Sequence, residues 1–385
     1  MISYEDWIQI PNVTYETVKP QSGIGLSLSG GGFKAALYHL GAIIRLNEFG
    51  LLKNLEIISC VSGGAIVGAW LGLVWDKLEI DPDTGNFNSD SLRNEFVTPI
   101  FELITEHTIG AIAFIQGLLP FKSRAQELSA GYAKHLFGDA RLNDISSESS
   151  APKFVFTSTC ARTNRPWRFS RECVECDYIG RILYPEFTIA DVVAASSAVP
   201  LVLDPLVLDF SNSVWDETIS APFDSAAFKA NAILRDGALI DNLGLDPIIS
   251  TCHSVLVSDA GSIFSLQKKP KLVGLNFMRA VSALMEHGES SRVLRLYEMA
   301  KREEKQVLFW RLRQNPQHFD IQILPQLSTK DVHAVITAQM TLNRYGVELA
   351  QMIINHGYAM CGLVFENYGN SLHQGQSSNE LPFTS

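Results

Sequence analysis

Cysteine is sparse in this chain. Six occur in 385 residues, too few for a disulfide scaffold, so a reducing compartment is expected. Cys173 and Cys176 form a lone CxxC with Cys160 upstream. The second close pair and the fourth ligand that a zinc site needs are missing, so no metal is expected. Basic residues are also scarce: 31 Lys and Arg against 41 Asp and Glu leave a net charge of −10. A field of that sign does not attract nucleic acid. The first residues, MISYEDWIQIPNVTYETVKP, lack the continuous apolar segment of a secretory signal. No internal repeat, no heptad array and no G-x-x-x-x-G-K-[ST] phosphate loop is present. What remains is apolar: 46% hydrophobic residues against 19% charged, enough to build a sizeable core.

The alternation of patterns points to a parallel sheet. Residues 24–28 read as a buried strand, 35–49 as a helix stopping at Gly50, 55–61 as a second strand and 64–75 as a second helix. A turn-rich loop spans 81–90, and helices are expected at 91–105 and 124–136. Strands follow at 153–158 and 166–170, a short helix at 188–195, and strands at 206–210, 230–234 and 253–258. Residues 270–308 and 334–355 read as mostly helical. No linker divides the chain. Residues 1–22 are expected as a leader, 23–366 as one α/β domain with helical insertions, and 367–385 as a polar, frayed tail.

One stretch needs arbitration. Residues 57–75, IISCVSGGAIVGAWLGLVW, pass without a charge, the length of a membrane span. Yet Val and Ile cluster before Ser62, while Ala, Leu and Trp follow it. The pattern changes from strand to helix at that Ser, and a buried strand followed by a buried helix reads the same way. A Ser at a strand-to-helix turn is where the G-x-S-x-G nucleophile elbow places its hydroxyl. Here the pentapeptide is Cys60-Val61-Ser62-Gly63-Gly64, with Cys where the first Gly is expected. Cys carries a Cβ and does not adopt positive φ freely. The plain alternative is a buried Ser capping the helix.

The first strand runs into SGGGFKA (Ser29–Ala35). Gly30, Gly32 and Ala35 satisfy G-x-G-x-x-A, but the acidic residue a dinucleotide site needs at the end of the second strand is absent. Such a loop also serves as an oxyanion hole, since consecutive Gly residues expose N–H groups at a helix N-terminus. Lys34 either strengthens that field, contacts an anionic headgroup, or is a solvated first-turn side chain. Further on, RDGALIDNLGLDP (Arg235–Pro247) puts Asp236 at a tight turn. A buried carboxylate there would orient a Ser hydroxyl and accept its proton. A Ser–His–Asp triad drawing on His253 or His356 fits the chain order as well.

Taken in order, the Gly-rich loop Ser29–Ala35, the elbow Cys60–Gly64, AASSAVP (Ala194–Pro200) and DGALIDNLGL (Asp236–Leu245) resemble the patatin-like phospholipase family across residues 23–260. The resemblance implies a three-layer α/β/α fold with a mostly parallel central sheet and additional helical insertions. It implies calcium-independent hydrolysis of lipid acyl esters, of phospholipase A or lysophospholipase type, by a Ser–Asp dyad without a catalytic His. The nucleophile maps onto Ser62, the base onto Asp236, and the oxyanion donors onto the amides around Gly30, Gly31 and Gly32. No cofactor is implied. Ser29 and Lys34 stand where the family often has Asp and Arg, and Cys60 replaces the elbow Gly. Cys60 motivates the alternative of a non-catalytic lipid-binding or scaffolding protein that retains the fold. A nucleotide-binding α/β protein is a third reading.

A cytoplasmic protein acting on phospholipid, with transient peripheral contact at a membrane surface, is the expected setting. Two segments are candidates for that contact. HTIGAIAFIQGLLPF (107–121) carries no charge apart from its His, and is either interfacial or a core helix or lid. Residues 266–315 hold eleven Lys and Arg against five Glu. They face anionic headgroups or form a solvated helix face laced with i,i+4 pairs.

Overall fold

The computed structural model describes residues 22–117, 123–200, 202–223, 225–261, 273–316, 319, 328–369, 372 and 380–383. Residues 1–21 of the expected leader, 118–121 of the apolar segment and Lys268, Lys269 and Lys271 of the basic segment lie outside them.

In chain order the elements used below are β1 (Ile24–Leu28), α1 (Gly32–Glu48), β2 (Leu55–Cys60), α2 (Gly63–Val74), α3 (Thr98–Glu106), α4 (Ile109–Gln116), α5 (Arg124–Tyr132), β3 (Lys153–Cys160), β4 (Pro166–Phe169), β5 (Cys173–Cys176), β6 (Gly180–Leu183), α6 (Ile189–Ser196), β7 (Leu206–Asp209), β8 (Val214–Trp215), β9 (Asn231–Asp236), β10 (Ser254–Asp259), α7 (Val273–Lys301), β11 (Gln306–Arg311), α8 (Thr329–Thr337) and α9 (Val347–Tyr368). Among the described residues the strands form one sheet in the order β11-β10-β1-β2-β3-β4-β5-β6-β8, with β9 also on β3 and β7 on β9. The central run β11, β10, β1, β2 and β3 is parallel, and the strands beyond β3 are antiparallel.

The sheet separates two cores. Leu26, Leu28, Ile58 and Cys60 point into a large one shared with α1, α2 and α9. Ile57, Val255 and Val257 point the other way, onto Leu243, Leu245, Ile248 and Leu296. Period-two alternation thus feeds opposite faces of one sheet, which makes the expected three layers. It also answers the question of residues 57–75. From Ile57 to Cys60 β2 is buried on both faces, and α2 is buried nearly all round, so this stretch does not tolerate charge. Among the described residues no helix is long and apolar enough to cross a membrane.

The structure refines this reading at four places. Residues 270–308 are mostly helical as expected, through α7, but QVLFWR at their end begins β11, which pairs in parallel with β10. Residues 334–355 are two helices separated by a strap at 338–346. The short strands β5, β6 and β8 were too brief for periodicity to show. The tail is not uniformly frayed: Phe383 exchanges hydrogen bonds with Asn355 (2.7 and 3.1 Å) and stacks on Phe101. The CxxC pair occupies the two ends of β5, where positions three apart face opposite sides of a strand.

Candidate active site

Parallel strands bring their C-terminal ends to one edge of a sheet, and the loops leaving those ends form a crevice. β1 delivers Ser29–Gly32 there and β2 delivers Ser62. The strand β3 acts as the ruler that brings Asp236 to the same level. Cys60 lies opposite Phe156 on β3. Two residues further along, after β2 has left the edge to turn into α2, β9 takes its place and sets Asp236 opposite Ser158. The two side chains are neighbours: the Ser62 hydroxyl is near enough to the Asp236 carboxylate to act on its pKa as a hydrogen-bonding group. Both are almost fully buried.

Ser62 has φ 51° and ψ −114°, a sparsely populated conformation that the surroundings hold in place. Its amide donates to the Ser196 hydroxyl (2.8 Å), which donates in turn to the Thr157 carbonyl (2.7 Å). The carbonyls of Ser196 and Ala198 accept the amides of Gly237 and Asp236 (3.4 and 3.0 Å). AASSAVP is thus a clamp between the elbow and the Asp236 turn. Its placement in the family pattern marked it, but its role was illegible because every partner is remote in sequence.

Cys60 needs no positive φ; it is the last extended residue of β2. Its side chain is accommodated by Gly68, one turn into α2, where a Cβ would come within 2.2 Å of the Cys60 sulfur. The small residue has moved from the elbow to the helix facing it. Burial pushes the Cys60 thiol well up, so it is inert packing.

The Gly-rich loop lies against the elbow. Gly31 and Gly32 adopt φ 144° and 63°, which L side chains rarely reach. A Cβ on Gly63 would sit 2.1 Å from the Gly32 carbonyl oxygen. The Gly30 amide departs from the expected role, since it donates to the Asn242 carbonyl at 3.0 Å. The amides of Gly31, Gly32 and Gly63 have no hydrogen-bond acceptor among the described residues. They stand at the N-termini of α1 and α2, where the helix dipole favours negative charge. His39, which sequence reasoning passed over, braces the loop from beneath: its ring nitrogens contact the Ser29 carbonyl (2.9 Å) and the Ser258 hydroxyl (2.8 Å).

Asp236 receives the Ala238 amide at 2.8 Å. Burial nevertheless raises its pKa to about 7, against the opposing effect of the hydrogen bonds from Ala238 and Ser62. A carboxylate tuned to that value is an effective base near neutrality.

The two expected His candidates do not join the dyad. His253 precedes β10, at the end of the sheet away from the loop. His356 lies on α9 with Nε2 on the Leu312 carbonyl (2.7 Å), and burial lowers its pKa to about 4. Lys34 is neither solvated nor free for a headgroup. It is buried, and its ammonium donates to the Ile336 and Ala338 carbonyls (2.9 and 3.0 Å) at the C-terminal end of α8. Burial lowers its pKa to about 8.

The strap after α8 crosses the Gly loop. The Thr341 carbonyl accepts the Phe33 amide (2.9 Å), Leu342 accepts from Gly110 (3.0 Å), and the Asn343 side chain accepts from Ala111 (2.7 Å). This fixes α4 beside the crevice, with Ile109 and Ala113 buried and Ile112, Phe114 and Ile115 exposed by 51%, 42% and 66%. Several cations of the basic segment turn inward, while Arg295, Lys301 and Arg302 stay exposed. Arg292 lies between Asp241 and Asp246, Lys305 donates to the Cys252 carbonyl, and Arg311 and Arg313 pair with Asp259.

A family model described as patatin-like phospholipase matches residues 26–249. No curated protein matches the chain by sequence. Among solved structures, human GIVD cytosolic phospholipase A2 is similar over 90% of this chain, with a TM-score of 0.53 and 12% identity. The same enzyme in complex with methyl gamma-linolenyl fluorophosphonate is similar over 92%, with a TM-score of 0.50 and 13% identity. The chain spans 59% and 60% of those two chains, and the likeness at this identity is one of fold.

Proposed function

The chain belongs to the patatin-like phospholipase family, and from that premise we propose that it is a lipid acyl hydrolase working through a Ser62–Asp236 dyad. One observation carries the reading: Ser62, at a strained backbone position, neighbours the buried Asp236 carboxylate, whose pKa is raised to about 7, beside three uncommitted amides at two helix N-termini. Asp236 takes the proton as the Ser62 oxygen attacks the ester carbonyl. The amides of Gly31, Gly32 and Gly63 receive the charge developing on the carbonyl oxygen. Asp236 returns its proton to the departing alkoxide, leaving an acyl ester on Ser62. A water then attacks that ester, giving a proton to Asp236, which passes it to Ser62 as the fatty acid leaves. No step requires calcium or a His.

A fluorophosphonate probe tests this directly. We expect it to label the wild type at Ser62, located by peptide mass, and to leave Ser62→Ala unlabelled in the presence of a calcium chelator. A wild type that neither labels nor releases fatty acid would favour the non-catalytic lipid-binding reading. Its motive in the sequence was Cys60, and the room beside Gly68 accommodates that residue.

The same proposal assigns membrane contact to α4 rather than to the basic segment. Ile112 and Ile115, three residues apart, form an exposed apolar face, while Phe114 carries the Arg124 guanidinium on its ring; burying such apolar side chains in lipid is worth about 1.5–3 kcal/mol each. We expect Ile112→Asp combined with Ile115→Asp to lower hydrolysis of phospholipid in vesicles at least about tenfold. Hydrolysis of soluble p-nitrophenyl butyrate should stay within about twofold. Equal losses on both substrates, or none on vesicles, would sink the assignment.

A further inference from the structure

The Gly-rich loop is gripped from behind by Asn242, which is itself held by side chains that lie beyond the family-matched span. The Asn242 carbonyl accepts the Gly30 amide (3.0 Å), and a Cβ on Gly30 would meet the Asn242 side-chain oxygen at 2.6 Å. The Asn242 amide donates to Glu289 on α7 (3.0 Å), whose other carboxylate oxygen accepts from Arg313 (3.0 Å). Arg313 is also 3.7 Å from Asp259, the fully buried last residue of β10, which Arg311 meets at 3.3 Å. A second thread leaves Asp259. The next residue, Ala260, donates its amide to the Ser29 hydroxyl (2.8 Å), and its carbonyl abuts Gly31, 3.0 Å from where a Cβ would be. One ion-pair cluster therefore reaches both Gly30 and Gly31.

We propose that Glu289 and Arg313 are positioning residues for the oxyanion loop, acting through Asn242. The proposal rests on the Ser62–Asp236 reading for its catalytic consequence but not for its structural one. Gly30 is permissive in φ and ψ, so a bond to its amide is what fixes the direction of the peptides that follow. Glu289 is 11% exposed and Arg313 21%, so a removed partner leaves the other charge in a poorly solvated place. Without the carboxylate, the Asn242 side chain loses its acceptor and its backbone loses its anchor. The Gly31 and Gly32 amides then swing relative to Ser62. A misplacement of about 1 Å at such donors costs on the order of 10²-fold.

Two measurements on the full chain test this. In Glu289→Leu, amide hydrogen exchange of the peptide containing Gly30 should accelerate at least about tenfold. The kcat for p-nitrophenyl butyrate should fall about 10- to 100-fold with KM within about twofold. Glu289→Gln keeps an acceptor for Asn242 and should restore most of both, which a merely destabilising change would not do. Unchanged exchange and kcat in Glu289→Leu overturn the proposal. So does an equal loss in the Gln variant. Failure of the hydrolase reading looks different: the wild type itself would neither turn over nor label, while the exchange result still decides whether Glu289 holds the loop.

Discussion

Ser62→Ala and Asp236→Asn are each expected to reduce fatty-acid release by at least about 10³-fold, and they should differ in a second respect. Asp236 is buried, and its pKa stands at about 7 rather than 3.8 because burial disfavours the charge. A folded-state pKa above the unfolded value means the protonated form is the one the fold prefers. The stabilising contribution is present below about pH 4 and is lost as pH rises toward and through 7. Catalysis runs the other way, because the base must be ionised. Hydrolysis by the wild type should therefore rise with pH to a plateau, with a midpoint near 7 in kcat/KM, while stability falls from about pH 4 to about pH 7 and levels off above it. Asp236→Asn keeps the shape and the acceptor for the Ala238 amide without the charge. It should be inactive, yet more stable than wild type at pH 8 by a few kcal/mol. Chemical denaturation at pH 4 and pH 8 measures this: the gain should be present at 8 and mostly absent at about 4. Full activity in either variant would falsify the dyad.

Gly63→Ala should be nearly as damaging although it adds one methyl group. The new Cβ would lie 2.1 Å from the Gly32 carbonyl oxygen and 3.0 Å from the Gly32 carbonyl carbon and amide nitrogen. All three are backbone atoms, so no side-chain rotation relieves the clash. The Gly loop has to move away from the elbow, taking its donors with it. Loss of one oxyanion donor typically costs about 10²–10³ in rate, and overpacking a close interface costs about 1–3 kcal/mol. We expect kcat/KM and the rate of fluorophosphonate labelling to fall together by at least about 10², with a lowered melting temperature. Gly288→Ala is the control. Gly288 lies within α7 with nothing in 4 Å of the added atom, so that variant should retain activity and gain up to about 1 kcal/mol. If Gly63→Ala behaves like the control, the two backbones do not meet at the crevice.

The chemistry of the site was legible where it depends on residues close in sequence. The Gly run after a buried strand, the Ser at a change of period and the Asp–Gly turn each carry a local signature. They needed no coordinates, and the resemblance followed from their order. Lys34 shows where that legibility stops. Its position at the start of a helix suggested water or a headgroup, but α8, three hundred residues later, covers it and its ammonium holds that helix's last carbonyls. The basic segment is a second case. Its surplus of cations suggested an electrostatic surface, whereas Asp241, Asp246, Asp259 and Glu289 draw several of them inward.

By itself the sequence determined the layered α/β architecture, because side-chain period and uncharged runs fix which elements are buried on one face and which on both. It also supplied the candidate nucleophile, base and donors on which the proposed function rests. Tertiary structure alone decided that β3 sets Ser62 and Asp236 at one level, that Gly68 makes the room Cys60 occupies, and that Asn242 takes the Gly30 amide. Each of these depends on a distance between chain segments remote in sequence. Such distances arise from strand register and helix packing, which local composition does not encode.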